Sequence, residues 1–149
     1  MQIKIKCFIL AISKTTTVVI SKPTKITLSM TIEAIANRLV EICRAGNWND
    51  AYRELFAPDA KAYEMEGVPD RMTEGVEALI AKGDAHAATW ETVHSSVISD
   101  PLVFGNFFSV GMRIDVTRTD GVRELAEEMC VYEVKDGKII AERFFYSMG

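Results

Sequence analysis

Residues 130–149, CVYEVKDGKIIAERFFYSMG, decide the fold. Two apolar runs rich in β-branched and aromatic residues flank Asp136-Gly137, the dipeptide that most strongly signals a tight β-hairpin. The second run holds Glu142 and Arg143 between apolar neighbours. Strand alternation places Ile140, Glu142, Phe144 and Tyr146 on one face and Ile139, Ala141, Arg143 and Phe145 on the other. A carboxylate in the middle of an apolar strand is costly unless it is paired, hydrogen-bonded or protonated. One face of such a strand is therefore expected to line a cavity.

The register of the hairpin decides what faces Glu142. A bulged three-residue turn at Gly137 sets Cys130 opposite Glu142 and puts Glu128 and Tyr132 on the same face. A two-residue turn sets Val131 there instead, with Met129 and Glu127. A slip of one residue exchanges the two sets. The bulged turn is preferred, which makes Glu128 and Glu142 near diagonal neighbours.

Upstream, two more stretches read as strands, TVHSSVIS and LVFGNFFSVGMRIDVTR, and the first run of the hairpin extends back to Arg123 as RELAEEMCVYEV. Asp100-Pro101 and Asp120-Gly121 separate them, and such short connections make neighbours antiparallel. Gly105 and Gly111 mark bends or bulges in the longest. Before Trp90 the period is helical. Ile32, Ile35, Ala36, Leu39, Ile42 and Cys43 form one stripe, with Thr31 as cap and Gly46 at the exit. A shorter helix, AYRELFA, follows a cap at Asn49 or Asp50, turns Tyr52, Leu55 and Phe56 inward, and stops at Pro58. KAYEME is a short strand, GVPDR a turn, and Thr73 the start of a third helix. Helices first and a strand meander afterwards predict an α+β fold, a cone of three helices on a curved antiparallel sheet.

The chain has 149 residues, 48% hydrophobic and 26% charged, which is enough for one domain with a real core. Its net charge of −4 is uneven: residues 1–29 hold five lysines and no acid, leaving 12 Lys and Arg against 21 Asp and Glu in residues 30–149. An acidic domain repels a phosphate backbone, so nucleic acid is not an expected partner. Three widely spaced cysteines without a CxxC fit a reducing compartment, and a cytoplasmic location is expected. No apolar run is long enough to span a bilayer. The run from Cys7 to Ile12 resembles the core of an export signal, but Lys14 interrupts it and no small-residue cleavage site follows. Met30 opens MTIEAIANRL like the first residue of a domain. Residues 1–29 are expected to be a poorly ordered or dispensable extension, and residues 30–149 a single domain.

Three helices, a short strand between the second and third, and a strand meander resemble the nuclear-transport-factor-2-like fold. CVYEVKDGKIIAERFFY is similar to the terminal hairpin of its SnoaL-like branch. GNWNDAYRELFAPDAKAYE and TEGVEALIAKG resemble that branch's second helix with its first strand and its third helix. The resemblance covers about residues 30–147. It implies a small-molecule cavity, lined in similar hairpins by the face of Ile140, Glu142, Phe144 and Tyr146 with Glu142 as its principal polar group, and chemistry without metal or cofactor of the cyclase, isomerase or hydratase type. It equally admits a non-catalytic binding or scaffold domain, because the fold hosts both.

The candidate catalytic residues are Glu142, His94 and Glu128. Two carboxylates beside an apolar cavity raise one another's pKa, and one can then hold a proton near neutral pH. A Glu142 paired with arginine or reaching solvent would be an ordinary structural carboxylate. Parity groups His94 with Ser96 and Ile98, and imidazole is the natural proton shuttle. SnoaL-like cyclases carry their terminal-strand Asp in a phrase of the form EHWD. Here the stretch is ERFF, with Phe145 on the acid's position, so a His94–Glu142 pair would have to replace it. The ketosteroid-isomerase acid position falls near Met129 or Cys130, where no carboxylate stands. Arg113 and Asp115 read as a surface salt pair. Candidate ligand-binding residues are Tyr63, Trp90, Phe108, Tyr132, Phe144 and Tyr146, suited to a small apolar molecule. His86 and His94 lack any ligand-rich spacing, and no phosphate-binding glycine loop exists, so no metal or cofactor is expected. The opposite face, with Met129, Val131, Ile139 and Phe145, is expected to join two copies sheet to sheet.

Overall fold

The helical stripe beginning at Ile32 forms α1, Ile32–Arg44, in a computed structural model that describes residues 30–147. The expectations for residues 1–29 lie outside those residues. Thr31 caps α1, accepting a hydrogen bond from the Ala34 amide, and Gly46 leaves the helix at φ +80°. Ile35, Ala36, Leu39, Val40, Ile42 and Cys43 are buried along its inner stripe. The second helix, α2, starts earlier than expected, at Trp48–Leu55, with Asn47 at its N-cap. Pro58 does not stop it. The helix yields directly to β1, Phe56–Tyr63, and Pro58 lies within that strand, where the pairing with the last strand shifts register between Phe56 and Lys61. A missing amide is tolerated in such an interruption.

A short strand, β2 (Met72–Glu74), precedes α3 (Val76–Ala87). Thr73, expected to open that helix, pairs with Ala62 of β1 instead. Gly75 makes the turn into α3 at φ +93°. The strands β3 (Trp90–Ile98), β4 (Leu102–Phe104), β5 (Phe107–Arg118), β6 (Arg123–Lys135) and β7 (Lys138–Tyr146) complete the fold. The longest run thus divides in two at Gly105, which adopts φ +62°. Gly111 produces no bulge. It pairs regularly with Met129, and its amide donates to Ser99 Oγ at 2.9 Å.

The sheet order is β2-β1-β7-β6-β5-β3, with β4 on β5. The expected α+β architecture stands, three helices on a curved sheet, but the sheet is mixed: β1 runs parallel to β7. That parallel pair brings the N-terminal half beside the terminal hairpin. The core lies between helices and sheet, where Ile35, Leu39, Leu55, Leu79, Phe108, Val110 and Ile139 are each at most 2% exposed. Phe108 and Tyr132 stack at 4.7 Å in its centre.

Candidate functional site

Glu142 is 2% exposed and is the one buried charged or polar residue among the described residues. Its environment follows from two irregularities. The hairpin turn has two residues, Asp136 at φ +51° and Gly137 at φ +75°, closed by the Lys135–Lys138 pair. A bulge then follows within β7: Val134 faces Ile139 and Glu133 faces Ala141, leaving Ile140 as the extra residue. Turn and bulge together give the face that a three-residue turn gives, so Glu128, Cys130 and Tyr132 share the side of Glu142. The exact partners differ. Tyr132, not Cys130, stands opposite Glu142, and Glu128 stands opposite Tyr146. Glu128 is therefore four residues from Glu142's level, about 13 Å along the strand. The expected diagonal carboxylate pair with a shared proton does not form.

The bulge also moves Ile139. Expected on the outer face, it is fully buried opposite Val134. Met129 and Phe145 remain exposed on that outer face.

The Tyr52 hydroxyl of α2 donates to Glu142 Oε1 at 2.8 Å. Cys43 and Cys130 are free thiols buried nearby, and their pKa values are pushed up, the first to about 12, by burial and by the charge of Glu142. Burial pushes the Glu142 carboxyl up to about 8, opposed by the Tyr52 hydrogen bond and the charge of Lys82. The side chain is thus predominantly a neutral acid at pH 7. Toward the end of the strand, the Lys82 ammonium pairs with Glu64 and sits 5.9 Å from the centroid of the Phe144 ring. The Tyr146 hydroxyl donates to Glu64 at 2.9 Å. Glu128 is half-buried, receives a long thiol contact from Cys130 at 3.6 Å, and is held above the usual carboxylate range by desolvation.

His94 does not join this group. A bulge between Val93 and Ser95 reverses the parity that would align it with Ile98. The exposed imidazole Nε2 lies 2.7 Å from Thr117 Oγ1, on the outer side of the sheet. The expected His94–Glu142 pair is therefore absent. Tyr63 is likewise displaced. It is level with Arg143 in the parallel ladder, and that guanidinium lies 5.1 Å from its ring centroid, while Ala62 takes the place beside Glu142. Trp90 stands at the start of β3, edge-on to His86. Phe108 and Tyr132 belong to the packed core. Phe144 and Tyr146 share the Glu142 side, both half-buried. Arg113 and Asp115 do not pair with each other but with Glu127 and Arg123.

A groove of about 630 Å³ crosses the sheet at Gly111. Val97, Gly111, Arg113, Glu127, Met129 and Phe145 line it from the face opposite Glu142, and Met112, Glu128 and Tyr146, which share the Glu142 side, also border it. Among the described residues, no group of three or more His, Cys, Asp or Glu is placed to hold a metal ion, and no helix is long and apolar enough to cross a membrane.

Sequence reasoning missed Tyr52, Glu64 and Lys82 as polar partners. Tyr52 carried a usable signal, since the helical period turns it inward. Glu64 and Lys82 read as ordinary surface charges.

Residues 30–146 match the SnoaL-like domain family. A solved structure from Mesorhizobium loti, whose description gives both SnoaL-like polyketide cyclase and carbohydrate phosphatase, is 35% identical, with a TM-score of 0.73 and coverage of 78% of this chain and 100% of that one. A Catenulispora acidiphila protein with a ketosteroid-isomerase-like fold, solved with trimethylamine, is 16% identical at TM-score 0.60, covering 76% of this chain and 85% of that one. TerC crystallised with polyporic acid is 12% identical at TM-score 0.61, covering 76% and 92%. No curated protein shows significant similarity.

Proposed function

The chain belongs to the SnoaL-like domain family, and from that premise we propose that it binds a small, largely apolar molecule on the inner side of the sheet, with Glu142 as the acid of the site. The chemistry is proton transfer without a cofactor, of the cyclase, isomerase or hydratase type. One observation carries this reading: a carboxyl only 2% exposed, its pKa pushed up to about 8 by burial, on the strand face shared with Phe144 and Tyr146. Strongly perturbed acids gather where chemistry needs them. The folds that hold trimethylamine and polyporic acid carry unlike ligands, so the ligand class depends on each chain's own residues.

A second reading has its own support. Phe56 and Phe108 each pack against Tyr132 in the core beside Glu142, which favours a non-catalytic binding or scaffold domain. The exposed Val97, Leu125, Met129 and Phe145 support pairing with a second copy through the outer sheet face in either case.

Ligand-observed NMR against small ketones, quinones, lactones and epoxides, run on the natural chain and on Glu142→Gln, tests both readings. Turnover that vanishes in the variant supports the acid. Binding without turnover that survives the substitution supports the binding domain. No binder at all from these classes would refute the inner-face site.

A further inference from the structure

Glu142 has two carboxyl oxygens in different situations. Tyr52 donates to Oε1 at 2.8 Å, and among the described residues Oε2 has no hydrogen-bond partner. One oxygen is tied to α2, and no described residue ties the other.

We propose that Tyr52 is a positioning residue, which holds Oε1 as the accepting carbonyl oxygen so that the acid proton resides on Oε2. This rests on Glu142 being the acid of the site. A carboxylic acid has one O–H donor, and an oxygen that accepts from a phenol is the poorer place for that proton. Tyr52 is itself fixed. Its ring lies 4.6 Å from Phe56, which packs edge-on against Tyr132 at 6.2 Å, the residue opposite Glu142. Ala62, level with Glu142 on β1, contributes only a methyl group and leaves the approach from α2 open. A donor that favours the ionised form also lowers the pKa, opposing desolvation. The same phenol therefore sets both where the proton sits and how readily it leaves. The other titratable groups around Glu142 are Cys43 on α1, Lys82 on α3, Glu64 after β1, and Glu128, Cys130 and Tyr132 on β6.

The test is pH-dependent infrared difference spectroscopy of the whole chain, with the protonated-carboxyl band assigned by its loss in Glu142→Gln. Tyr52→Phe should move that band to higher wavenumber, since the carbonyl loses its donor. It should also move the titration midpoint up by about one pH unit, a tenfold weaker acid. A tyrosine that only fills space would lower stability without moving either quantity. An unmoved midpoint and band in a folded Tyr52→Phe protein would overturn the proposal. If that variant does not fold, fluorotyrosine placed at position 52 replaces it: a stronger donor should move the midpoint down, and no movement overturns the proposal equally. If no band assignable to Glu142 titrates above pH 6, the acid reading itself fails first. If the band titrates but ignores Tyr52, the acid stands and the positioning role falls.

Discussion

Replacing Glu142 by Gln should stabilise the protein, and by an amount that grows with pH. The carboxyl titrates at about 8 in the fold against 4.5 when unperturbed. A raised carboxyl pKa means that the folded state holds its proton more tightly than the unfolded chain. That advantage is complete below pH 4.5 and is lost as pH rises through 8. At about 1.4 kcal/mol per pH unit, the gap between 4.5 and about 8 amounts to about 5 kcal/mol at high pH and about 3 kcal/mol at pH 7. Gln never ionises, still accepts from Tyr52, and offers an amide donor in place of the acid O–H. Urea unfolding of both proteins from pH 4.5 to 9 reads the difference directly, because contributions from the other groups largely cancel between them. The two should agree within about 1 kcal/mol at pH 4.5 and diverge steadily above it, with Gln the more stable. A difference that stays flat with pH would show that Glu142 is ionised and solvated in the fold, and the acid role would go with it.

Four further outcomes are expected. Phe108→Ala removes the largest fully buried side chain and should cost about 3–5 kcal/mol in urea unfolding. His94→Ala should change stability by less than about 0.5 kcal/mol and leave ligand binding intact, since the imidazole is exposed on the far side of the sheet. A chain beginning at Met30 should melt within about 5 °C of the full chain, a larger drop in calorimetry meaning that residues 1–29 pack on the domain. Light scattering should give a dimer mass, and Met129→Glu with Phe145→Glu should reduce it to a monomer mass; a monomer before substitution would refute the outer-face pairing.

The fold was legible because its signals are local and repeated. A helical stripe from Ile32 with a Thr31 cap, turn dipeptides at Asp120 and Asp136, and alternation in the terminal strands each favour one answer. The site was less legible because parity along a strand is erased by one extra residue. Ile140 and His94 are those residues. Neither bulge has a glycine or proline to mark it, so alternation carried straight through them placed Ile139 outside and His94 inside. Glu142 survived as an inner residue because the Asp136-Gly137 turn and the bulge at Ile140 compensate each other. The parallel contact of β1 with β7 was beyond reach, since no local pattern announces which distant strand will lie beside a hairpin.

The same bulge gives Glu142 its chemistry. Without the extra residue, Ile139 and Glu142 would lie on opposite faces, and one would be buried only by exposing the other. With it, Ile139 anchors the hairpin in the core while Glu142 enters the same inner side further along. The core thus holds β7 rigidly beside the carboxyl, and α2 supplies the one hydroxyl among the described residues that reaches it. An acid held on a rigid strand by a tyrosine from another layer cannot swing to solvent to regain hydration. Its remaining relief from desolvation is to keep its proton, and that is the state from which a general acid must start.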